Sequence, residues 1–236
     1  MKTIASFDIG TKNFAHYIEV FDEQTLINIR DRYNLLPRSE QRRIKGPVSE
    51  RVNELINECC KSGKQLSIGV SDISLDETGI SNEIRKSLFN YLLKLKEKLD
   101  TVDIFLIEQQ YFNAYTGGVG GAGRKKPGGE ANVTAIKLAE CLLTWLLLIY
   151  PEKEIIVFSS MYKTHILGAP EDLTKPQRKK WTVDRFTTVL EEKNDAYTLD
   201  EFKRYKKLKK QKIDDMADAA LQCQSYKYKK YVLEMN

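Results

Sequence analysis

Apolar and polar residues alternate or recur along this 236-residue chain with periods that separate strands from helices. Residues 3–9 are an apolar run that stops at Gly10, which predicts a strand entering a tight turn. Residues 14–21 and 25–30 alternate with period two and predict two more strands, with Asp22, Glu23 and Gln24 as the hairpin turn between them. Val48, Val52, Leu55, Ile56 and Cys59 return at helical spacing, and 65–75 reads as a strand or a loop. The stretch 37–81 is taken as an insertion on one domain spanning 1–236. The stripe Ile84, Leu88, Tyr91, Leu92, Leu95 and Leu99 predicts an amphipathic helix over 82–99, with Ser81 as its N-cap. Residues 103–108 (DIFLIE) predict a buried strand ending in a charge. The segment 131–149 is apolar almost all round and predicts a buried helix. A buried strand at 154–159, an amphipathic helix at 175–192 and a last helix at 213–228 complete the pattern. The order is three strands, helix, strand, helix, strand, then helices. It predicts an α/β fold, a mixed sheet flanked by helices.

Composition narrows the class only slightly. The chain is 42% hydrophobic and 30% charged, and its 38 Lys+Arg against 33 Asp+Glu give a formal charge of +5. So mild an excess matters only where it clusters. Cys59, Cys60, Cys141 and Cys223 lack metal-ligand spacing and are expected as thiols. The first residues do not read as a signal peptide, and the longest apolar run, 142–150, is interrupted by Thr144 and too short for a bilayer. A soluble, intracellular protein without a membrane partner is the expectation.

The chemistry sits at element ends. Asp8 lies near the end of the first strand (FDIGT), Glu108 ends the 103–108 strand (FLIEQQ), and Asp214, Asp215 and Asp218 open the last helix (KIDDMADAALQ). Positions three and four apart share a helix face, so Asp218 points with Asp215 or with Asp214. Each acid has a plain reading: a turn residue before Gly10, a strand end in solvent, first-turn acids answering the helix dipole. Asp218 resists that reading, because it lies one turn into a helix among Ala and Met. A carboxylate ending an apolar strand costs desolvation unless a cation compensates it. Magnesium takes carboxylate oxygens and keeps sites for water and phosphate. Two such ions serve phosphodiester cleavage.

In this order SFDIGTKNFA, FLIEQQ, IIVFSS and KIDDMADAALQ resemble the RuvC-type Holliday junction resolvases, most closely their poxvirus and large-DNA-virus branch. The element order is that of their RNase H-like fold. The resemblance implies a homodimer that nicks opposing strands of a four-way DNA junction symmetrically. It further implies Mg2+, with Mn2+ substituting, held at Asp8, Glu108, Asp215 and Asp218, Asp214 being the variable place. A viral source would put the protein at the site of viral DNA replication. The stretch 37–81 and the Gly-rich loop after Glu108 are longer than in the viral members.

Several cations are candidate phosphate contacts: Lys12 in the turn after Asp8, Arg124, Lys125 and Lys126 in the Gly-rich loop, and Lys206, Lys207, Lys209 and Lys210 in KRYKKLKKQK. Arg178, Lys179 and Lys180 would extend that surface. Each group also reads as solvated charge. Tyr111, Phe112 and Tyr115 are either stacking platforms for bases or packed aromatics. His16 and His165 carry no assigned role. On the 131–149 helix, Leu142, Trp145, Leu146 and Ile149 form a surplus stripe, to be covered by a second subunit or by 37–81.

Two other functions stay open. One is an RNase H-like nuclease acting on other branched DNA or RNA–DNA hybrids, or an RNase H-like domain that binds nucleic acid without cutting it. The other is an actin-like ATP-binding domain, since FDIGT also resembles the first phosphate motif of sugar kinases. The absence of a second DxGT-like motif and the acidic last helix speak against the latter.

Overall fold

The computed structural model describes residues 1–41, 48–75, 79–110, 133–159, 162–208 and 213–234, with side chains left out for 206–208. Strands β1 (Lys2–Asp8), β2 (Phe14–Phe21), β3 (Gly63–Ser71), β4 (Ile104–Gln109) and β5 (Glu154–Ser159) form one sheet in the order β3-β2-β1-β4-β5. The β1–β2 and β2–β3 pairs are antiparallel, and β1–β4 and β4–β5 are parallel. The expected mixed sheet is therefore present. Parallel neighbours finish at the same edge, so β1, β4 and β5 deliver their C-terminal residues to one place.

The third strand is not where alternation predicted it. Residues 25–30 belong to α1 (Glu23–Asn34), and Asp22 is its N-cap rather than a hairpin turn. The Asp22 carboxylate accepts from the Thr25 N–H at 3.1 Å and from its hydroxyl at 2.9 Å. Leu26, Ile29 and Tyr33 are the buried positions, a helical spacing that a window of six residues is too short to expose. The third strand is β3, whose place lies within 37–81. Together with α2 (Glu50–Lys61), it makes that part of the expected insertion integral to the sheet and its core.

The remaining helices are α3 (Asn82–Lys94), α4 (Lys96–Leu99), α5 (Val133–Ile149), α6 (Tyr162–His165), α7 (Lys175–Glu192), α8 (Ala196–Leu208) and α9 (Ile213–Lys227). A π-helical turn, Tyr228–Leu233, follows α9. The helix expected over 82–99 breaks at Leu95, and Ser81 caps it as expected, its hydroxyl accepting from the Ile84 N–H at 3.2 Å. The basic run before α9 begins inside α8, a helix that its charge density had concealed. No helix among the described residues is long and apolar enough to cross a membrane.

Two cores lie on opposite faces of the sheet. Ala5, Phe7, Phe105 and Ile107 face α3 and α5, while Ile4, Ile104 and Leu106 face α2, α7 and α9. This is the two-residue alternation of strand side chains. Leu142 and Leu146 of α5 are fully buried against the sheet, and Trp145 packs edge-on against Tyr150, so the surplus stripe is narrower than expected. What α5 exposes is its last turn, Leu147, Leu148 and Ile149. Helix α2 packs on the opposite face and covers none of it.

Beneath α9 the core holds a fully buried ion pair, Lys227 with Glu19. Tyr17 donates to Glu19 at 2.6 Å, Gln224 at 3.0 Å and Lys193 at 3.5 Å. Burial alone would raise the Glu19 carboxyl, but Lys227 and then Lys193 outweigh it and push it down to about 2. Removing one partner leaves the other charge buried, which costs about 3–5 kcal/mol. Lys227→Met is therefore expected to lower unfolding stability by about 3 kcal/mol in urea titrations. An unchanged midpoint would mean that Lys193 alone suffices for Glu19.

Candidate metal and nuclease site

Parity along the strands carries two acids to one spot. Asp8 has the parity of Ile4 and Ser6, and Glu108 that of Ile104 and Leu106, so both point to the face covered by α9. Phe7 pairs with Ile107 across the parallel ladder, and Asp8 and Glu108 are the next residues on each strand. Helix α9 lies close over β1 because Ala217, Ala219 and Ala220 are small and fully buried. Gln222 fixes its register, donating to the Ser6 hydroxyl at 3.0 Å and the Phe7 carbonyl at 3.3 Å. Two turns and one turn earlier on α9, this register sets Asp215 and Asp218 over the end of β1. Carboxylate oxygens of Asp8, Asp215 and Asp218 lie within 4.8 Å of one another.

The centre of the cluster is a residue that sequence reasoning missed. Lys163, 5% exposed, reaches Asp8 at 3.0 Å, Glu108 at 3.3 Å and Asp218 at 3.8 Å. It sits on the single turn α6, which Ser225 of α9 holds by donating to the Tyr162 and Lys163 carbonyls at 3.1 and 2.9 Å. The usable signal was topological: a residue just after β5 must emerge at the edge that receives Asp8 and Glu108. Asp214 points elsewhere and pairs with Lys179 of α7. That separates it from the three clustered acids.

Electrostatics show how crowded the cluster is. Burial first, then the Glu108 charge opposed by Lys163, raises the Asp8 carboxyl to about 7. Burial and the neighbouring Asp8 and Asp214 raise Asp215 to about 7, and burial, only partly offset by Lys163, raises Asp218 to about 6. Glu108 is lowered: burial opposes this, but Lys163 and a hydrogen bond from Asp8 prevail. One Asp215 oxygen is buried with no hydrogen-bond partner among the described residues. An unsatisfied carboxylate oxygen among closely spaced acids short of positive charge suits a divalent cation.

The remaining candidates are not gathered here. Lys12 is exposed in the β1–β2 turn and does not line the cleft over the acids. Lys206 and Lys207 fall in the last turn of α8, with their side chains outside the described residues. Arg124, Lys125, Lys126, Lys209 and Lys210, and Tyr111, Phe112 and Tyr115, also lie outside them. His16 is buried against Tyr91 (2.6 Å) and Ser67 (3.0 Å), a structural position.

Fold and site together define an RNase H-like α/β protein with a carboxylate cluster where its parallel strands end. The chain is similar in fold to Thermus thermophilus RuvC, with a TM-score of 0.50 and 11% identity over 97% of each chain. It also resembles the fowlpox virus resolvase solved with its substrate Holliday junction DNA, at a TM-score of 0.48 and 16% identity over 94% of this chain and 96% of that one. In sequence it is 28% identical to uncharacterized protein 97L of Invertebrate iridescent virus 3, over 94% of this chain and 98% of that protein. No protein-family model matches the chain.

The raised carboxyls fix the sign of a pH effect. A group whose folded pKa is raised contributes stability below its unfolded value, near 3.8, and loses it as pH climbs through 6 to 7. Cation binding requires the ionised forms and releases their protons. The rise in melting temperature produced by Mg2+ or Mn2+ should therefore be larger at pH 8 than at pH 5.5. Asp8→Asn should diminish it. An equal shift at both pH values would place the cation elsewhere.

Proposed function

We propose that this chain is a divalent-metal-dependent endonuclease that resolves four-way DNA junctions. The observation that carries the reading is the convergence of Asp8, Glu108, Asp215 and Asp218 from β1, β4 and α9 on one sheet end. The resemblance of the four motifs to RuvC-type resolvases supplies the junction as substrate. Those four acids would hold Mg2+ or Mn2+. When bound, such ions supply an activated water and offset charge on the phosphate oxygens.

The chain's own groups do the positioning. Lys163 fixes the carboxylate orientations from below through its contacts to Asp8, Glu108 and Asp218. The cleft at Glu108 and Asp218 has a volume of about 400 Å3, which supports access of a phosphodiester backbone to these acids. Lys12, Arg124, Lys125, Lys126, Lys206, Lys207, Lys209 and Lys210 bind DNA phosphates in a sequence-independent way. The protein acts as a homodimer, because paired nicks across a two-fold symmetric junction need two acid clusters with matching symmetry. The exposed last turn of α5, with Leu148 74% exposed, supports a covered surface there.

Neutralising Asp8, Glu108, Asp215 or Asp218 (Asp→Asn, Glu→Gln) should abolish cutting while junction binding persists, with Asp214→Asn milder than Asp215→Asn. Offering a mobile junction, an RNA–DNA hybrid, a flap and plain duplex side by side reads the substrate. Preference for the hybrid or the flap would overturn the junction assignment. ATP hydrolysis without DNA cleavage would overturn the enzyme class.

Sedimentation at micromolar protein should give a dimer, and Leu148→Glu should shift it toward monomer. A strictly monomeric species that still makes paired nicks in one binding event would refute the dimer.

A further inference from the structure

The cleft at the acids is lined by residues of unlike charge. Glu108, Asp218 and the α6 turn that carries Lys163 contribute to it, and so do Lys175, Arg178, Lys179 and Thr182. The last four are spaced i, i+3, i+4 and i+7, a single face of α7. Their cations are not equivalent. Lys179 is paired with Asp214, which clamps α7 to α9 and holds this face beside the cluster. Lys175 and Arg178 are exposed and form no ion pair with any described residue. Lys180, equally exposed, does not line the cleft.

The first turn of α7 is also fixed in shape. Thr174 and Gln177 form a capping box, in which the Thr174 N–H donates to the Gln177 side-chain oxygen at 2.9 Å. The two unpaired cations are thus mounted on a rigid support. Lys175 sits about one turn, roughly 5.4 Å, from Lys179 along the axis. The cleft has a volume of about 400 Å3, which is space for a sugar–phosphate segment.

We infer that Lys175 and Arg178 form a phosphate subsite for the DNA strand being cut, holding the phosphate adjacent to the one on the acids. The inference rests on the nuclease reading and deepens it. A bidentate guanidinium and an ammonium both suit a phosphodiester oxygen pair. The occupant is a neighbouring phosphate, because Lys175 stands a turn along α7 from Lys179, the cation that Asp214 already engages. The simpler role for the same cations is long-range compensation of the carboxylates. That role makes a different prediction: losing them would strengthen divalent-cation binding and leave DNA contacts alone.

The test uses the full chain, a four-way junction and EDTA, so that binding is read without cleavage. Single methylphosphonate linkages, which remove one phosphate charge each, are placed in turn on either side of the cut. The native protein should lose about tenfold in affinity at one flanking position. Lys175→Ala combined with Arg178→Ala should weaken binding to the unmodified junction by about tenfold or more. It should flatten the salt dependence by one to two units of slope, about 0.9 per phosphate contact. The double variant should then be indifferent to the methylphosphonate at that position, and Arg178→Lys should restore part of the slope. Unchanged affinity and slope would overturn the subsite. So would a methylphosphonate penalty persisting in the double variant, or a larger Mn2+-induced rise in melting temperature with DNA binding intact. A native protein that neither binds nor cuts the junction would overturn the nuclease reading as well, and that pattern is distinct from loss in the variant alone.

Discussion

The buried ammonium of Lys163 is what allows acids from three elements to share one end of the sheet. The side chains of Asp8, Glu108 and Asp218 are 11%, 16% and 21% exposed, so their mutual repulsion is weakly screened. Without an internal cation more of these acids would have to take up protons to share that end. Lys163 offsets that repulsion only in part, as the raised carboxyls of Asp8, Asp215 and Asp218 attest. The molecule thus folds around a site that remains short of positive charge. A shortfall of that kind is what a cation-binding site requires.

Packing, backbone geometry and a few buried side-chain hydrogen bonds position the cluster. Parallel pairing of β1, β4 and β5 brings their ends to a common edge. The alanine face of α9 allows close approach to β1, and Gln222 sets its register along the strand. Ser225, one turn further on, secures the α6 turn that carries Lys163. A single helix therefore supplies two of the acids, fixes the register of a third and orients the lysine. The Glu19–Lys227 pair at the far end of the same helix anchors it in the core. The α7 face that lines the cleft depends on α9 too, through the Lys179–Asp214 clamp.

Much of this was legible in the sequence. The apolar runs ending in Asp8 and Glu108 marked the two strands, and the spacing of Asp215 and Asp218 marked one helix face. Those signals are local, because side-chain direction follows from a period of two or of 3.6 residues. The helix at 175–192 and the Ser81 cap were read correctly for the same reason. Local signals misled where a window was short: residues 25–30 alternate like a strand, yet Leu26, Ile29 and Tyr33 bury one side of α1.

What the sequence could not determine was set by contacts between distant segments. β3 became the third strand by pairing along β2, a partnership that no pattern within 63–71 announces. Lys163 follows an apolar strand with no periodicity around it, and it acquires its partners 155, 55 and 55 residues away only when the sheet closes. Asp214 and Asp215 are adjacent in sequence and alike in chemistry, yet packing against α7 gives one to Lys179 and leaves the other in the cluster. Sequence by itself determined which side chains carry charge and on which face of each element they stand. Tertiary structure decided which charges meet, because Coulomb energy depends on distance through the folded protein and not on separation along the chain.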